Sequence, residues 1–341
     1  MRWKKLFWEI NRKDCQGHEG FLKVFLAFFA PFAVQKEPMK FSVKVPATTA
    51  NLGPGFDALG LALDLWNEAE FISTDDKQIS LTIEGEGRDT LSTGANNAIV
   101  EAALQIYELA GKPCNGMQIH CVNRVPLGSG LGSSSAALLT GMLGANAMLG
   151  EPFAREEILK LAIETEGHPD NVAPAMLGGL VASIIHDSHV VSLRLTLTGQ
   201  HTPIHITVVF PDFDFPTKQA RAILPKQIER KDAIYNISRA VIVTEAFRLG
   251  DLDMLGEAMT DKLHQPYRIP LIPGAQAAMD AMKRAGASAV ALSGAGPSLI
   301  AFSSKREAAI GEAGKQAFAE SGLDSRVFKL KISRKGAQVH I

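Results

Sequence analysis

Between residues 41 and 45 the apolar Phe41, Val43 and Val45 alternate with Ser42 and Lys44, a period of two that predicts a half-buried β-strand. The strand runs into Pro46 and a glycine-rich stretch, residues 51–60, whose composition predicts irregular backbone. The same alternation marks residues 79–83 and 117–122, with a helix-spaced segment at Ala98–Leu109 between them. A Gly/Ser-rich loop at 128–134 then opens a helix over 134–149, whose many small residues allow close packing. A second helix, 155–164, stops at the run Gly167, His168, Pro169. Strands are predicted at 180–185, 190–197 and 204–210, and the pattern changes character near residue 200. Beyond it come helices at 233–249 and 275–285, a strand Ala289–Leu292, a glycine turn, a strand at 299–302, a helix at 305–320 and a last strand at 326–332. Short strands interleaved with helices in this way indicate an α+β fold.

The length of 341 residues fits two domains, expected at 39–200 and 201–341. Residues 1–38 stand apart. Their run FLKVFLAFFAPFAV at 21–34 contains Lys23 and Pro31 and is shorter than the roughly 20 residues of a membrane span, so they are expected to be an appendage without a part in the chemistry. With 35 basic and 36 acidic residues the chain has no general field to attract a polyanion, which argues against nucleic acid as a partner and makes any phosphate binding local. Cys15, Cys114 and Cys121 form no C-x-x-C pair and suit reduced thiols in the cytoplasm, and the nine histidines form no metal-binding motif. No membrane partner is expected.

The candidate chemistry begins at residues 126–136, the run Pro126, Leu127, Gly128, Ser129, Gly130, Leu131, Gly132, Ser133, Ser134, Ser135, Ala136. It follows a predicted strand and opens a predicted helix. Its three glycines let backbone NH groups turn into one concavity, and the helix adds unpaired N-terminal donors, which together make an anion site. The serine hydroxyls can cap the helix, bond phosphate or ligate Mg²⁺. A Walker A loop is excluded because no lysine lies between Arg124 and Lys160, and G-x-G-x-G is not the G-x-G-x-x-G of a dinucleotide fold.

The full pattern P-x-x-x-G-L-G-S-S-[SA]-A resembles the middle signature of the GHMP kinases, and that superfamily's other two signatures are matched in order by ATTANLGPGFD at 47–57 and SGAGPS at 293–298. Within it the segments NLGPGFD (51–57), HPDNVAPAMLGG (168–179), TKQARAILP (217–225) and PYRIPLIPG (266–274) are most similar to the homoserine kinase family. The resemblance implies an α+β, two-domain fold: an N-terminal domain like domain 2 of ribosomal protein S5, a ferredoxin-like C-terminal domain, and the site between them. It further implies ATP and Mg²⁺ as cofactors, phosphorylation of L-homoserine to O-phospho-L-homoserine in threonine biosynthesis, and a homodimer.

By the same resemblance, Arg221 and Arg268 would grip the substrate carboxylate, Asp57 would accept from its ammonium, and Asn51 and Asn171 would orient polar atoms and the reacting hydroxyl. Ser134 and Glu164 fall on the magnesium positions, with Glu166 as a competitor two residues on. Asp170 lies where relatives of the mevalonate kinase type carry an aspartate; its expected role is structural or electrostatic before that of a base, and His168 is expected to be a turn residue. Another GHMP kinase, or an inactive nucleotide-binding regulator, are the alternatives.

Overall fold

In the computed structural model, residues 39–186, 189–198, 203–305 and 308–340 are described. The appendage expected at 1–38 and Cys15 lie outside them. Two sheets organise residues 39–340. The first has seven strands: β1 (Lys40–Ala50), β2 (Leu59–Ser73), β3 (Ile79–Gly85), β4 (Met117–Asn123), β5 (Leu180–His186), β6 (His189–Leu195) and β11 (Gln338–His340). Its main path runs β11-β1-β2-β4-β3, and β5 pairs with the start of β2 and carries β6 outside it. All pairings are antiparallel except β3 with β4.

The central strand β2 is the element that periodicity misses. Its first five residues, Leu59–Leu63, are all buried, so the segment shows no apolar–polar alternation to detect. Three helices share this sheet's apolar core: α2 (Ser133–Met148) lies against the strands, and α1 (Ala98–Leu109) and α3 (Arg155–Glu166) pack on α2. Along α2, nearly every residue from Ser135 to Met148 is buried, as its small side chains require. A Cβ on Gly141 would lie 2.1 Å from the Ile99 carbonyl oxygen, and one on Gly144 would enter the Phe71 ring. A fourth helix, α4 (Pro169–Leu177), begins where the sequence reads as a stop: Pro169 occupies the first turn, where its missing NH removes no hydrogen bond.

The second sheet contains β7 (His205–Pro211), β8 (Ala289–Leu292), β9 (Leu299–Ser303) and β10 (Ser325–Leu330) in the order β10-β7-β9-β8, all antiparallel. With helices between β7 and β8 and between β9 and β10, this is the ferredoxin-like arrangement. Alternate residues face opposite layers. Ile206, Val208, Ile300 and Phe302 turn towards α6 (Arg230–Leu249) and α7 (Leu252–Ala258), while Val209, Leu299 and Ala301 turn towards α9 (Ala275–Arg284) and α10 (Ala308–Glu320). The first of these layers also includes Leu52, Leu61, Leu63 and Leu131 of the N-terminal half, so one apolar core continues from one sheet to the other. The short helices α5 (Thr217–Ala222) and α8 (Gln265–Arg268) lie in the connection between β7 and β8. Cys121 sits in the first core, and burial pushes its thiol pKa up to about 12, so it remains an unreactive thiol. Among the described residues no helix is long and apolar enough to cross a membrane.

Candidate active site

Between β4 and α2 the chain turns through three left-handed glycines, with φ of 62° at Gly128, 75° at Gly130 and 71° at Gly132. The loop braces itself through Ser129, whose hydroxyl donates to the Pro126 carbonyl (2.7 Å). It is also gripped from the C-terminal half, where Ser293 Oγ donates to the Gly130 carbonyl (2.7 Å). Only glycine fits at 130, because a Cβ there would lie 2.2 Å from the Ser293 carbonyl oxygen. The N-cap of α2 is Gly132, and no side chain caps the helix. Of the roles open to the serines, capping is therefore not the one taken, and the first-turn NH groups have no side-chain acceptor, the kind of donor set that suits an anion. Ser134 and Ser135 instead donate to the two carboxylate oxygens of Glu166, at 3.0 and 3.1 Å.

Glu164, expected at a magnesium position, does not join this pair. That side chain is exposed, does not line the cleft, and lies 3.8 Å from Lys160 on its own helix. Two residues along a helix turn the side chain by about 200°, so only one of the pair can face α2. That one is Glu166.

At the other end, the segment after β1 carries three non-glycine residues in left-handed backbone: Asn51 (φ 69°), Leu52 (45°) and Asp57 (56°). Such conformations are costly and gather at functional sites. Asn51 is committed to bracing: its amide donates to the Gly294 carbonyl (2.8 Å) and its Oδ1 accepts from the Asp57 NH (3.0 Å). Asp57 is held in turn by Arg221 of α5 in a two-pronged ion pair, with oxygens at 2.8 and 2.9 Å. The two groups expected to meet opposite ends of a substrate thus meet each other.

Arg268 of α8 differs. It is 1% exposed and, among the described residues, makes no ion pair. Its donors reach the Ala220 carbonyl (3.0 Å), His264 Nδ1 (3.3 Å) and the Gly294 carbonyl (3.4 Å). Burial, and then the like charge of Arg221, push its pKa down to about 10. Both guanidiniums lie against the Phe56 ring, 5.9 Å from its centroid for Arg221 and 5.3 Å for Arg268.

Between the ends lie Asp170 and Asn171, on the first turn of α4. Asn171 Oδ1 accepts from the Thr48 hydroxyl (2.9 Å), which fixes the amide with its NH₂ group still available. Asp170 is buried and bonded to His168 Nδ1 at 2.8 Å. Burial opposes the imidazolium, but the bond to Asp170 and its charge prevail and raise the His168 pKa. His168 is therefore a fixed partner of Asp170 rather than a simple turn residue.

Asn51, Gly128, Gly130, Ser134, Glu166, Asp170, Asn171, Arg221 and Arg268 all line one cleft of about 390 Å³, together with Gly294, Ala295 and Gly296. That volume suits a small ligand. Asp57 reaches it through Arg221, and Pro126, Leu127, Leu131, Ser135 and Ala136 stand behind the loop surface. Thr48, Phe56, His264 and Ser293 carry no expected individual role in the sequence. His264 was within reach, since it stands four residues before Arg268, the spacing of one helix face.

Models of the GHMP kinases N terminal domain and the GHMP kinases C terminal domain match residues 97–179 and 243–319. The chain is 45% identical to a homoserine kinase of Moorella thermoacetica over 298 residues, 87% of this chain and 99% of that protein. It is 40% identical to a homoserine kinase of Carboxydothermus hydrogenoformans over 295 residues, 86% and 95% of the two chains. Among solved structures, a homoserine kinase from Cytophaga hutchinsonii superposes with a TM-score of 0.79 at 32% identity, covering 88% of this chain and 97% of that one.

Proposed function

From the premise that this chain belongs to the homoserine kinases of the GHMP kinase family, we propose a division of its cleft into a nucleotide end, a reacting centre and an amino-acid end. The chain is an ATP-dependent kinase that phosphorylates L-homoserine. The observation that carries the division is the contrast between the ends: uncapped helix donors and a Ser–Glu cluster at one, two arginines and a carboxylate at the other.

At the nucleotide end the loop 126–136 offers backbone NH groups to the phosphates of ATP. The Ser134 hydroxyl and the Glu166 carboxylate are hard oxygen donors side by side, a set that fits Mg²⁺. When bound, the ion neutralises charge on the phosphates. At the amino-acid end, Arg268 holds the substrate carboxylate. Asp57 and Arg221 exchange each other for the substrate's ammonium and carboxylate. The exchange is inexpensive: side chains 35% and 36% exposed form a pair worth about 0–1 kcal/mol.

In the centre the Asn171 amide donates to the homoserine hydroxyl oxygen and aims it at the γ-phosphoryl. The new O–P bond forms as the bond to ADP breaks, and the hydroxyl proton passes to the phosphoryl oxygens. Asp170, tied to His168, supplies fixed negative charge beside Arg221 rather than removing that proton. Exposed Ile234, Ile237 and Val241 along one face of α6 support a homodimer as the working form, testable by analytical ultracentrifugation.

A coupled ADP-release assay with Mg-ATP tests the reading against L-homoserine, L-threonine, L-serine, mevalonate and galactose. Turnover is expected with L-homoserine above the others; its absence sinks the proposal.

A further inference from the structure

Behind the amino-acid end, a neutral ring stands where a buried cation ordinarily finds a carboxylate. The three acceptors that hold Arg268 are two peptide carbonyls and His264 Nδ1, none of them charged. His264 is completely buried. Its tautomer follows from its partners. Nε2 lies 2.8 Å from the Gly53 carbonyl, which can only accept, so Nε2 carries the proton. Arg268 can only donate, so Nδ1 presents a lone pair. Burial lowers the imidazole pKa against the pull of Asp261 and so keeps the ring in this neutral form.

Asp57, Asp261 and Asp170 all act on Arg268 through space, none of them in an ion pair with it, and Asp261, the one beside His264, is occupied. Oδ1 accepts from the Leu263 NH (2.7 Å) and the Asn236 amide (2.9 Å), and Oδ2 accepts from the NH groups of His264 (2.9 Å) and Gln265 (2.6 Å). It caps the turn that delivers His264, and its Oδ2 also lies 3.5 Å from His264 Nε2, beyond the shorter bond from Nε2 to the Gly53 carbonyl. Phe56 stacks on the His264 ring, with centroids 5.3 Å apart, and meets Arg268 at the same distance, so ring and guanidinium share one aromatic wall. Through Gly53 the imidazole also ties this wall to the left-handed segment that presents Asp57.

We propose that His264 is a positioning residue of the substrate site: a neutral acceptor that orients the Arg268 guanidinium without discharging it, leaving the substrate's carboxylate to complete the ion pair. The inference rests on the reading of Arg268 as the carboxylate-binding group. It explains why a histidine, rather than an aspartate or glutamate, lies against the arginine. A carboxylate there would bind Arg268 internally and compete with every substrate molecule.

The test is a double-mutant cycle in the full chain, with kcat and both KM values measured for His264→Leu, Arg268→Met and the pair. His264→Leu is expected to raise the homoserine KM about tenfold, the scale of one lost hydrogen bond to a charged group. The ATP KM should not move. If His264 acts through Arg268, the double variant is no worse for homoserine than Arg268→Met alone. Multiplying effects would overturn the inference. His264→Gln, whose amide oxygen can accept from Arg268, should recover most of the loss, whereas His264→Asp should exceed His264→Leu; an Asp variant that binds homoserine as well as the Leu variant refutes the requirement for neutrality. An unchanged homoserine KM in Arg268→Met is a separate outcome, which removes the reading of Arg268 itself. If a variant at 264 is poorly folded, its active fraction lowers kcat on both substrates alike and leaves the KM comparison intact.

Discussion

Replacing Arg268 by methionine should separate binding from stability, because the residue is a liability to one and a necessity for the other. Pushing the guanidinium pKa down to about 10 corresponds to a penalty on the order of 3 kcal/mol for keeping the charge in the fold. Its three hydrogen bonds to neutral acceptors return about 1 kcal/mol each, so the two contributions nearly cancel. Methionine fills much of the volume and carries no charge. The variant should therefore unfold within about 1–2 kcal/mol of the parent, against the roughly 2–5 kcal/mol usual for truncating a large core side chain. Binding should behave differently. Losing one partner of a desolvated, hydrogen-bonded charge pair costs about 2–5 kcal/mol, so the homoserine KM should rise by about 30-fold or more. The ATP KM should stay within about threefold. Coupled ADP release gives both constants, and urea unfolding gives the stability. An equal rise in the two KM values would refute the carboxylate assignment. A stability loss well beyond that range would show that Arg268 is mainly a structural brace.

Glu166→Gln should lower kcat/KM about 10–100-fold and raise the Mg²⁺ concentration for half-maximal rate, with Glu164→Gln within about twofold of the parent; equal effects would undo the choice between them. Gly130→Ala should destabilise by more than about 2 kcal/mol and raise the ATP KM, because its Cβ meets the Ser293 carbonyl at 2.2 Å. Gly128→Ala, with nothing within 4 Å, should cost only the roughly 1 kcal/mol of a left-handed alanine, and thermal melts would rank the two. The His168–Asp170 pair predicts a pH dependence. With the folded pKa raised above the ordinary 6.5, the pair's stabilisation is complete below that value and is lost as pH rises through the folded pKa. Urea melts at about pH 5.5 and 8.5 should therefore show the parent losing an advantage over His168→Gln at the higher pH; parallel curves would contradict the pairing.

Local chemistry made the phosphate end legible. A strand, three glycines and a run of small residues can be read at residues 117–149 without distant information, and the observed β4 and α2 differ from expectation by single residues at their ends. Residues 59–63 were not legible, because a stretch buried on both faces has no alternation, although residues 67–71 of the same strand do alternate, and Pro169 misled because one residue type both ends helices and begins them. Which of Glu164 and Glu166 meets the serines depends on where another helix places them, and no local pattern in the sequence carries that.

The arginines show most sharply what a sequence withholds. Arg221 and Arg268 are the same residue type and share the expectation of gripping the substrate carboxylate, with a catalytic part expected of Arg221 as well. In the fold one is 36% exposed and paired with Asp57, while the other is 1% exposed and faces a neutral ring. A half-exposed pair exchanges partners at little cost, so Arg221 can release Asp57 to an incoming ammonium and turn to the carboxylate. A buried cation held by neutral acceptors cannot exchange anything and gains most from the first anion that reaches it. The two should therefore fail differently. Arg221→Ala frees Asp57 as well as removing a donor, and its loss in homoserine affinity should shrink at high salt, where the exposed charge of Asp57 is screened. The loss in Arg268→Met, set in a desolvated floor, should not change with salt. Homoserine KM values for both variants at low and high KCl decide it, and the same salt response in both would mean that burial does not distinguish the arginines.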